Sequence, residues 1–316
     1  MIEEKIVVGK GTDYPLDGLL TIPTITAANT ATGTYPAVVL VQGSGATDKD
    51  ETIRKIKPFR DIAHGLAQRG VASIRYDKRN YAHGKKMRKH FGRRLTVMEE
   101  VIEDAVRAAN LLKVDPRINS EQIYVVGHSL GGVLAPRIDA TADGSFAGLV
   151  MLAGSPRKME DLVKDQQKLA LDALTGIKRA ILKWQVDKVL KKFENIYDLT
   201  DAQAIETPFL GGTSVYYLKD MGEWPMHEYL RNSTKPILIM HGDKDLQVST
   251  QRDFNLYKEL LADNPNASFK LYDGLNHTFM PALTDNIMKV MKEFKVERPV
   301  EDYVIADMAD WILSND

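Results

Sequence analysis

A serine flanked by glycines lies between two apolar runs near the middle of the chain. The stretch YVVGHSLGGVLA (124–135) places Ser129 after a β-branched run and before an apolar helix start, in a GxSxG pattern. A turn this sharp between a strand and a helix strains the serine backbone and projects its hydroxyl outward, and the glycines let strand and helix approach each other. The pattern predicts that Ser129 is a nucleophile.

A serine hydroxyl attacks at neutral pH only when a base removes its proton and an acid orients that base. Asp243 and Asp245 follow the apolar run PILIMHG (236–242), and His277 follows the run SFKLYDG (268–274). The order serine, acid, histidine, each just after a strand, is one of the known triad orders. The residues alone therefore predict His277 as the base and leave Asp243 and Asp245 open as the acid.

Short runs rich in Val and Ile recur along the chain and are typical of strands buried on both faces of a parallel sheet. They cover 37–41, 71–76, 123–127, 148–154, 236–242 and 268–274. Helical periodicity separates them at 59–66 and 96–112. This alternation predicts an α/β fold with a doubly wound, mostly parallel sheet. Residues 4–24 instead predict two short antiparallel strands at a sheet edge.

The alternation of strands and helices stops at about Ser155 and resumes at Lys235. Two long helical patterns, at 159–175 and 177–197, take its place. We expect a core domain formed by residues 1–154 and 235–316, and a helical cap or lid inserted at 155–234 on the ligand-binding edge of the sheet. The alternative is a packing extension that buries an oligomer surface. Aromatic and Met side chains of the insertion either line an acyl or aromatic pocket or fill its core.

Composition excludes several classes of function. Forty-two basic and 43 acidic side chains give a net charge of -1, which disfavours binding to nucleic acid or to an anionic membrane and suits a small, near-neutral substrate. The absence of cysteine excludes disulfides, thiolate zinc sites and a cysteine nucleophile. The basic stretch 77–94 is interpreted as a solvated loop. The sequence has no apolar segment long enough to span a membrane and no leader pattern at its N-terminus. We therefore expect a soluble, unprocessed, cytoplasmic protein. A homo-oligomer is a possible assembly.

The segments GHSLGG (127–132), HGDKD (241–245) and GLNHTF (274–279) together resemble the serine α/β-hydrolase superfamily. The resemblance covers the core on both sides of the insertion and implies the α/β-hydrolase fold. It also implies that Asp245, the final residue of the HGxxD stretch, is the triad acid and that Asp243 stabilises the loop.

A tetrahedral intermediate needs two backbone amides directed at its oxyanion. One is expected from Leu130, directly after the nucleophile, and the other from the loop QGSGATDKDE (42–51). With the later segments KPFRD and RYDKRN, this loop is similar to that of a bacterial carboxylesterase group near the cinnamoyl and feruloyl esterases. The similarity implies Ser44 as the second donor, with Gly45 as the alternative, and carboxylates that pair with basic residues, hence no metal.

Two positions depart from the pattern of that group. Gln42 stands where a histidine is more familiar, and Asn80 stands where the turn usually carries glycine. Asn tolerates positive φ, so we expect the turn at Asn80 to be retained.

These residues predict a serine carboxylesterase that needs no cofactor and cleaves small-molecule esters of small or medium acyl groups through an acyl-enzyme. A feruloyl or cinnamoyl esterase, a thioesterase, and an amidase or peptidase are alternatives with the same triad. An alternative from another class is a ligand-binding protein that has lost catalysis.

Overall fold

A computed structural model describes residues 1–24, 33–209 and 212–315. Within these ranges, eight strands form one sheet in the order β1-β2-β4-β3-β5-β6-β7-β8. The strands are β1 (Ile2–Val8), β2 (Leu16–Ile22), β3 (Tyr35–Val41), β4 (Ala72–Tyr76), β5 (Ile118–His128), β6 (Gly148–Leu152), β7 (Ile237–Gly242) and β8 (Ala267–Tyr272). Strands β3 to β8 run parallel, and the β1-β2 pair adds an antiparallel edge, as the sequence predicts.

Helices cover both faces of the sheet, because its strands are apolar on both sides. On one face, α1 (Pro58–Gln68) and α12 (Asp302–Ser314) pack on the sheet through buried apolar side chains. On the other face lie α3 (Glu103–Lys113), α4 (Leu130–Thr141) and α10 (Asn255–Leu260). A π-helical turn over Met98–Ile102 leads into α3, and another over Thr250–Phe254 leads into α10. The short helix α11 (Val290–Glu293) precedes α12.

The segment predicted as an insertion is helical between β6 and β7. It contains α5 (Met159–Asp172), α6 (Gly176–Leu190), α7 (Asp201–Glu206), α8 (Tyr216–Glu223) and α9 (Met226–Asn232). Phe193, Ile196, Ala204, Val215 and Leu218 form a small apolar cluster of its own. Its last helix, α9, contributes Leu230 to the core beneath the sheet. Every helix in the described ranges is too short or too polar to span a bilayer.

The interpretation of residues 77–94 as a solvated loop is wrong. Residues Arg79–His90 form helix α2, followed by a short 3-10 turn. The Lys78 and Arg79 side chains are only 2% and 1% exposed. Arg79 donates to the Asp104 carboxylate at 2.6 and 2.7 Å. The carboxylate balances the guanidinium charge, which burial separates from water. The remaining basic side chains of the stretch are mostly exposed.

Candidate active site

Ser129 occupies a strained turn between β5 and α4. Its backbone has φ 52° and ψ −115°, a conformation that side-chain-bearing residues rarely adopt. Its amide donates to the Leu152 carbonyl of the next strand at 2.8 Å. A Cβ on Gly127 would lie 2.2 Å from the Gly131 carbonyl oxygen, and one on Gly131 would lie 2.0 Å from that of Val41. The turn therefore requires glycine at both positions.

His277 and Asp245 are hydrogen-bonded to each other. His277 Nδ1 lies 2.6 Å from Asp245 Oδ2, and His241 Nε2 lies 3.3 Å from the same oxygen. Asp245 Oδ1 accepts the amides of Gln247 and Val248 at 2.8 and 3.0 Å. Burial opposes ionisation of Asp245, but the charge of His277 and the hydrogen bonds from both histidines outweigh it and hold the pKa of Asp245 well below its usual range.

Parallel topology brings the predicted residues to one edge of the sheet. β5 ends before Ser129, β7 ends before Asp245, and β8 ends before His277. The carboxyl ends of parallel strands lie at the same edge, where open α/β sheets bind ligands. The rings of His277 and His128, the residue before Ser129, are 4.9 Å apart between centroids. The Ser129 hydroxyl has no hydrogen-bond partner in the described part of the chain, and hydrogen bonds of this kind often tighten only when substrate binds.

Asp243, the other acid that the residues left open, has a different partner. Its Oδ1 accepts the amide of Gly274 at 2.7 Å, which ties the loop after β7 to the turn after β8. Gly274 itself has φ 74°. Asp243 thus stabilises the loop, as the resemblance implies, while Asp245 contacts the histidine.

The predicted oxyanion donors lie beside the serine. A Cβ on Gly43 would lie 3.1 Å from the Cβ of Ser129, so the loop after β3 approaches the nucleophile closely. Ser44 and Gly45 line the same cavity as Ser129 and Leu130. Leu130 is the first residue of α4, and the first amides of a helix have no partner within it. The residues predicted to supply both amides therefore line the same cavity as Ser129.

Glu51 and His128 form a buried pair that connects three parts of the site. Glu51 Oε1 lies 3.0 Å from His128 Nδ1 and accepts the Gly43 amide at 2.7 Å. His128 Nε2 lies 3.0 Å from the carbonyl oxygen of His277. Burial disfavours the charged imidazole, but the Glu51 carboxylate outweighs it and raises the pKa of His128. In the sequence Glu51 is one of several neighbouring acids, and the only signal for His128 is its position inside GHSLG, so the pair could not be predicted.

A second buried pair supports the oxyanion loop from below. Lys78 Nζ donates to the Gly43 carbonyl at 2.9 Å and lies 3.0 Å from Glu100 Oε1. Asn80 Nδ2 donates to the same Glu100 oxygen at 2.8 Å. Gln42 donates through its amide to the carbonyl oxygen of Tyr76, which fixes the end of β3 to β4. The contacts of Lys78 and Glu100 could not be predicted from the sequence, because both residues belong to charged stretches.

The expectation that Asn80 supports a turn of positive φ is wrong. Asn80 is the second residue of α2 and has no positive φ, because the chain enters a helix directly after Lys78. Of the acids in the 48–51 stretch, Asp50 binds Lys57 and Arg75, and Glu51 binds His128. Across the residues that the structure describes, no group of three or more His, Asp or Glu side chains is arranged to hold a metal ion.

A cavity of about 720 Å³, here called the serine cavity, opens in front of Ser129. One wall comes from the core and the other from the helical segment that follows β6. The apolar side chains of its lining from that segment are Met159, Leu162, Val163, Phe209, Tyr217 and Leu218. Gln166 of α5 donates to the carbonyl of Gln247 at 2.9 Å, close to Asp245. The cavity has the size and the mostly apolar walls of a small-molecule site.

Comparison with known proteins supplies a family and several relatives. Residues 52–281 match the family described as serine aminopeptidase, S33. Esterase EstD of Thermotoga maritima is 34% identical over 312 residues, which span 98% of this chain and 68% of EstD. An uncharacterized peptidase, YtmA of Bacillus subtilis, is 22% identical over 199 residues, 62% of this chain and 63% of YtmA.

Solved structures of two proteins, Est1E and an esterase of Pyrococcus furiosus, have the same fold. Est1E from Butyrivibrio proteoclasticus matches with a TM-score of 0.56 and 16% identity, over 96% of this chain and 99% of Est1E. A second Est1E structure, with a TM-score of 0.57 and 16% identity over the same shares, has ferulic acid bound. The Pyrococcus furiosus esterase PF2001 matches with a TM-score of 0.57 and 15% identity, over 99% of this chain and 91% of that structure. At these identities the likeness concerns the fold alone.

Proposed function

Because the chain belongs to the serine aminopeptidase S33 family of α/β-hydrolases, we propose that it hydrolyses carboxylic esters of small or medium acyl groups through an acyl-enzyme. The observation that carries this proposal is the 2.6 Å hydrogen bond between His277 and Asp245 at the sheet edge where Ser129 is held in its strained turn. The relation to EstD, named an esterase, supports the same reaction.

In this proposal Ser129 Oγ attacks the ester carbonyl while His277 Nε2 takes its proton. His277 then gives that proton to the leaving alcohol as the carbon–oxygen bond breaks, and the acyl group stays on Ser129. Water, deprotonated by His277, attacks the acyl-enzyme, and the carboxylic acid leaves as Ser129 regains its proton. Asp245 holds the histidine tautomer with a proton on Nδ1 and stabilises the imidazolium that forms.

The oxyanion of each tetrahedral intermediate accepts hydrogen bonds from the amide of Leu130 and from that of Ser44 or Gly45. These donors belong to a helix N-terminus and to a loop fixed by Glu51 and Lys78 through Gly43. Donors fixed in advance need no reorganisation when charge develops. This rigidity supports an assignment of the loop after β3 to oxyanion binding.

The charges of the serine cavity favour esters over peptides with a free N-terminus. Among the described residues that line the cavity, Glu100 alone is acidic. An aminopeptidase needs a carboxylate for the ammonium group of its substrate, but Lys78 and Asn80 already bind the Glu100 carboxylate. A carboxylate whose charge Lys78 already balances attracts a substrate ammonium less strongly than an unpaired carboxylate would. We therefore place ester hydrolysis ahead of aminopeptidase activity.

A feruloyl or cinnamoyl ester is a second candidate substrate, because aromatic side chains, Phe209 and Tyr217, face the serine cavity. Rates on p-nitrophenyl butyrate, methyl ferulate, an acyl-thioester and an aminoacyl anilide would rank the four substrate classes. The proposal expects the highest kcat/KM for the butyrate or the ferulate ester. A highest kcat/KM for the anilide would contradict it.

The nucleophile is tested with Ser129→Ala, which leaves the fold intact apart from one hydroxyl. We expect its kcat on p-nitrophenyl butyrate to fall by about 10⁴-fold or more. A fluorophosphonate probe should label Ser129 in the unmodified protein and leave the variant unlabelled. A folded Ser129→Ala protein that still hydrolyses the ester at the original rate would refute the proposal. Tight ligand binding without labelling would support the non-catalytic binding protein instead.

Residues 155–234 are proposed as the cap over this site, because α5 contributes to the cavity wall and Gln166 bonds to the loop after β7. The cytoplasmic location and the homo-oligomer stay predictions of the sequence.

A further inference from the structure

A second cavity of about 560 Å³ lies on the other side of one wall of the serine cavity. Val133 and Met159 line both cavities and therefore form the partition between them. Val133 lies one helical turn after Ser129 and donates its amide to the Ser129 carbonyl at 3.0 Å. One turn of helix advances about 5.4 Å, so the partition begins within a few bond lengths of the reacting atom.

The floor of the second cavity is apolar. It is formed by Leu134, Pro156, Met221, Trp224, Pro225 and Met226. The charged side chains Lys158, Asp161, Glu228 and Arg231 also line this cavity. Two further arginines of its rim are paired with acids, since Arg137 binds Asp220 at 2.9 Å and Arg157 binds Asp253 at 2.7 Å. Their charges are thus compensated by the protein itself, which leaves the apolar floor as the surface that a ligand would contact.

Of the two side chains of the partition, Met159 can change shape more readily, because Val133 is β-branched and lies within helix α4. Met159 is the first residue of α5, is partly exposed, and has an unbranched side chain that fits irregular spaces. Met159 is therefore the part of the partition that can move most easily.

We propose that the second cavity binds the distal end of long aliphatic acyl chains that pass the partition formed by Val133 and Met159. This inference rests on the proposed ester hydrolysis at Ser129 and extends it to chains too long for the serine cavity alone. The carbonyl stays at Ser129, the first methylenes fill the serine cavity, and the terminal methylenes lie on Met226 and Trp224.

The test compares p-nitrophenyl butyrate with p-nitrophenyl dodecanoate in Met226→Trp, which fills the second cavity without touching the serine cavity. Each buried methylene contributes about fourfold to binding, so displacing two or more should lower kcat/KM for the dodecanoate by about tenfold or more. The butyrate should change by less than about twofold, which also reports that the variant folds. Met288→Trp, the same exchange at an exposed methionine outside both cavities, is the matched control.

The opposite perturbation is Met159→Ala, which widens the partition and should raise the dodecanoate-to-butyrate ratio of kcat/KM. Calorimetric titration of the Ser129→Ala protein with p-nitrophenyl dodecanoate measures occupancy without catalysis, and Met226→Trp in that background should weaken the binding by about tenfold or more. An equal effect of Met226→Trp on both esters, no effect on either, or no dodecanoate binding at all would overturn the inference. Failure of the esterase proposal is distinguishable, because it would appear as butyrate hydrolysis that survives Ser129→Ala.

Discussion

Replacing Glu51 with glutamine removes one charge from the centre of the site while nearly preserving side-chain shape. The carboxylate is 2% exposed and Oε1 serves both the Gly43 amide and His128 Nδ1. Both ring nitrogens of His128 face acceptors, since Nε2 points at the carbonyl of His277. With Glu51 ionised, both contacts are satisfied only when His128 carries a proton on each nitrogen. The pair is therefore a buried carboxylate–imidazolium ion pair.

The cost of Glu51→Gln follows from what His128 can do without its partner. Breaking a buried ion pair costs about 3–5 kcal/mol when the remaining charge stays in place. His128 can instead release its proton, so the loss is close to that of one charge-assisted hydrogen bond, about 2 kcal/mol of unfolding free energy. Glu51→Ala also leaves the Gly43 amide without an acceptor, which adds about 2 kcal/mol.

The stability lost in Glu51→Gln depends on pH, and the direction of that dependence follows from the pKa of His128. Glu51 raises the pKa of His128 above its unfolded value near 6.5, so the stabilisation is fully present below about pH 6.5 and is lost as the pH rises through the folded-state pKa. Urea unfolding of the unmodified protein and of Glu51→Gln, followed from about pH 6 to about pH 9, should show a difference that shrinks as the pH rises.

Glu4→Gln provides the control for this series. Glu4 pairs with Arg117 at the surface, at 2.6 Å between Oε1 and Nη1, and exposed pairs contribute less than about 1 kcal/mol. A loss in Glu51→Gln no larger than in Glu4→Gln would refute the ion pair, and so would a loss that does not change with pH. A loss no larger than in Glu4→Gln would mean that the Glu51 charge does not contribute to stability. A loss that is independent of pH would mean that His128 is neutral over the whole pH range.

Two further predictions concern the triad and the turn. Asp245→Asn should lower kcat on p-nitrophenyl butyrate by about 10⁴-fold, because the amide favours the wrong histidine tautomer. Steady-state kinetics measures this change, and circular dichroism checks that the variant folds. A decrease below about tenfold would contradict the assignment of Asp245. Gly131→Ala should destabilise the protein by more than about 3 kcal/mol in urea unfolding, because its Cβ would lie 2.0 Å from the Val41 carbonyl oxygen. Gly84→Ala, whose added Cβ would have its nearest neighbour 3.6 Å away, should leave the stability unchanged or raise it by up to about 1 kcal/mol, because alanine is the better helix former. Equal losses in the two variants would contradict the steric argument.

The sequence predicts the sheet and the order of the candidate residues because both depend on local signals. Apolar runs bounded by glycine or polar turns predict each parallel strand, to within a few residues at most of its ends. The run 148–154 extends past β6 because Ala153 turns to φ 49° and leaves the extended conformation. The glycines around Ser129 predict a tight turn because strand and helix approach too closely for a Cβ, and the structure shows this close approach at Gly127 and Gly131.

The predictions from the sequence fail where charged residues are buried. The stretch around Lys78 and Arg79 has the composition of a solvated loop, but burial depends on the partner and not on composition. Arg79 is buried because Asp104, 25 residues later, meets it on α3. A single sequence carries no signal that pairs these two residues, so the helix α2 and its ion pairs could not be predicted from charge alone.

The GHSLG motif is therefore not a self-sufficient unit. Its second residue, His128, has partners 77 residues before it and 149 residues after it, Glu51 in the loop after β3 and His277 in the loop after β8. Those partners meet only because β3, β5 and β8 run parallel and end at the same edge of the sheet. The motif fixes the conformation of Ser129, whereas the position of His277 relative to Ser129 depends on a buried pair that the topology assembles. A substitution at Glu51 should consequently disturb the site, although Glu51 precedes the motif by more than seventy residues.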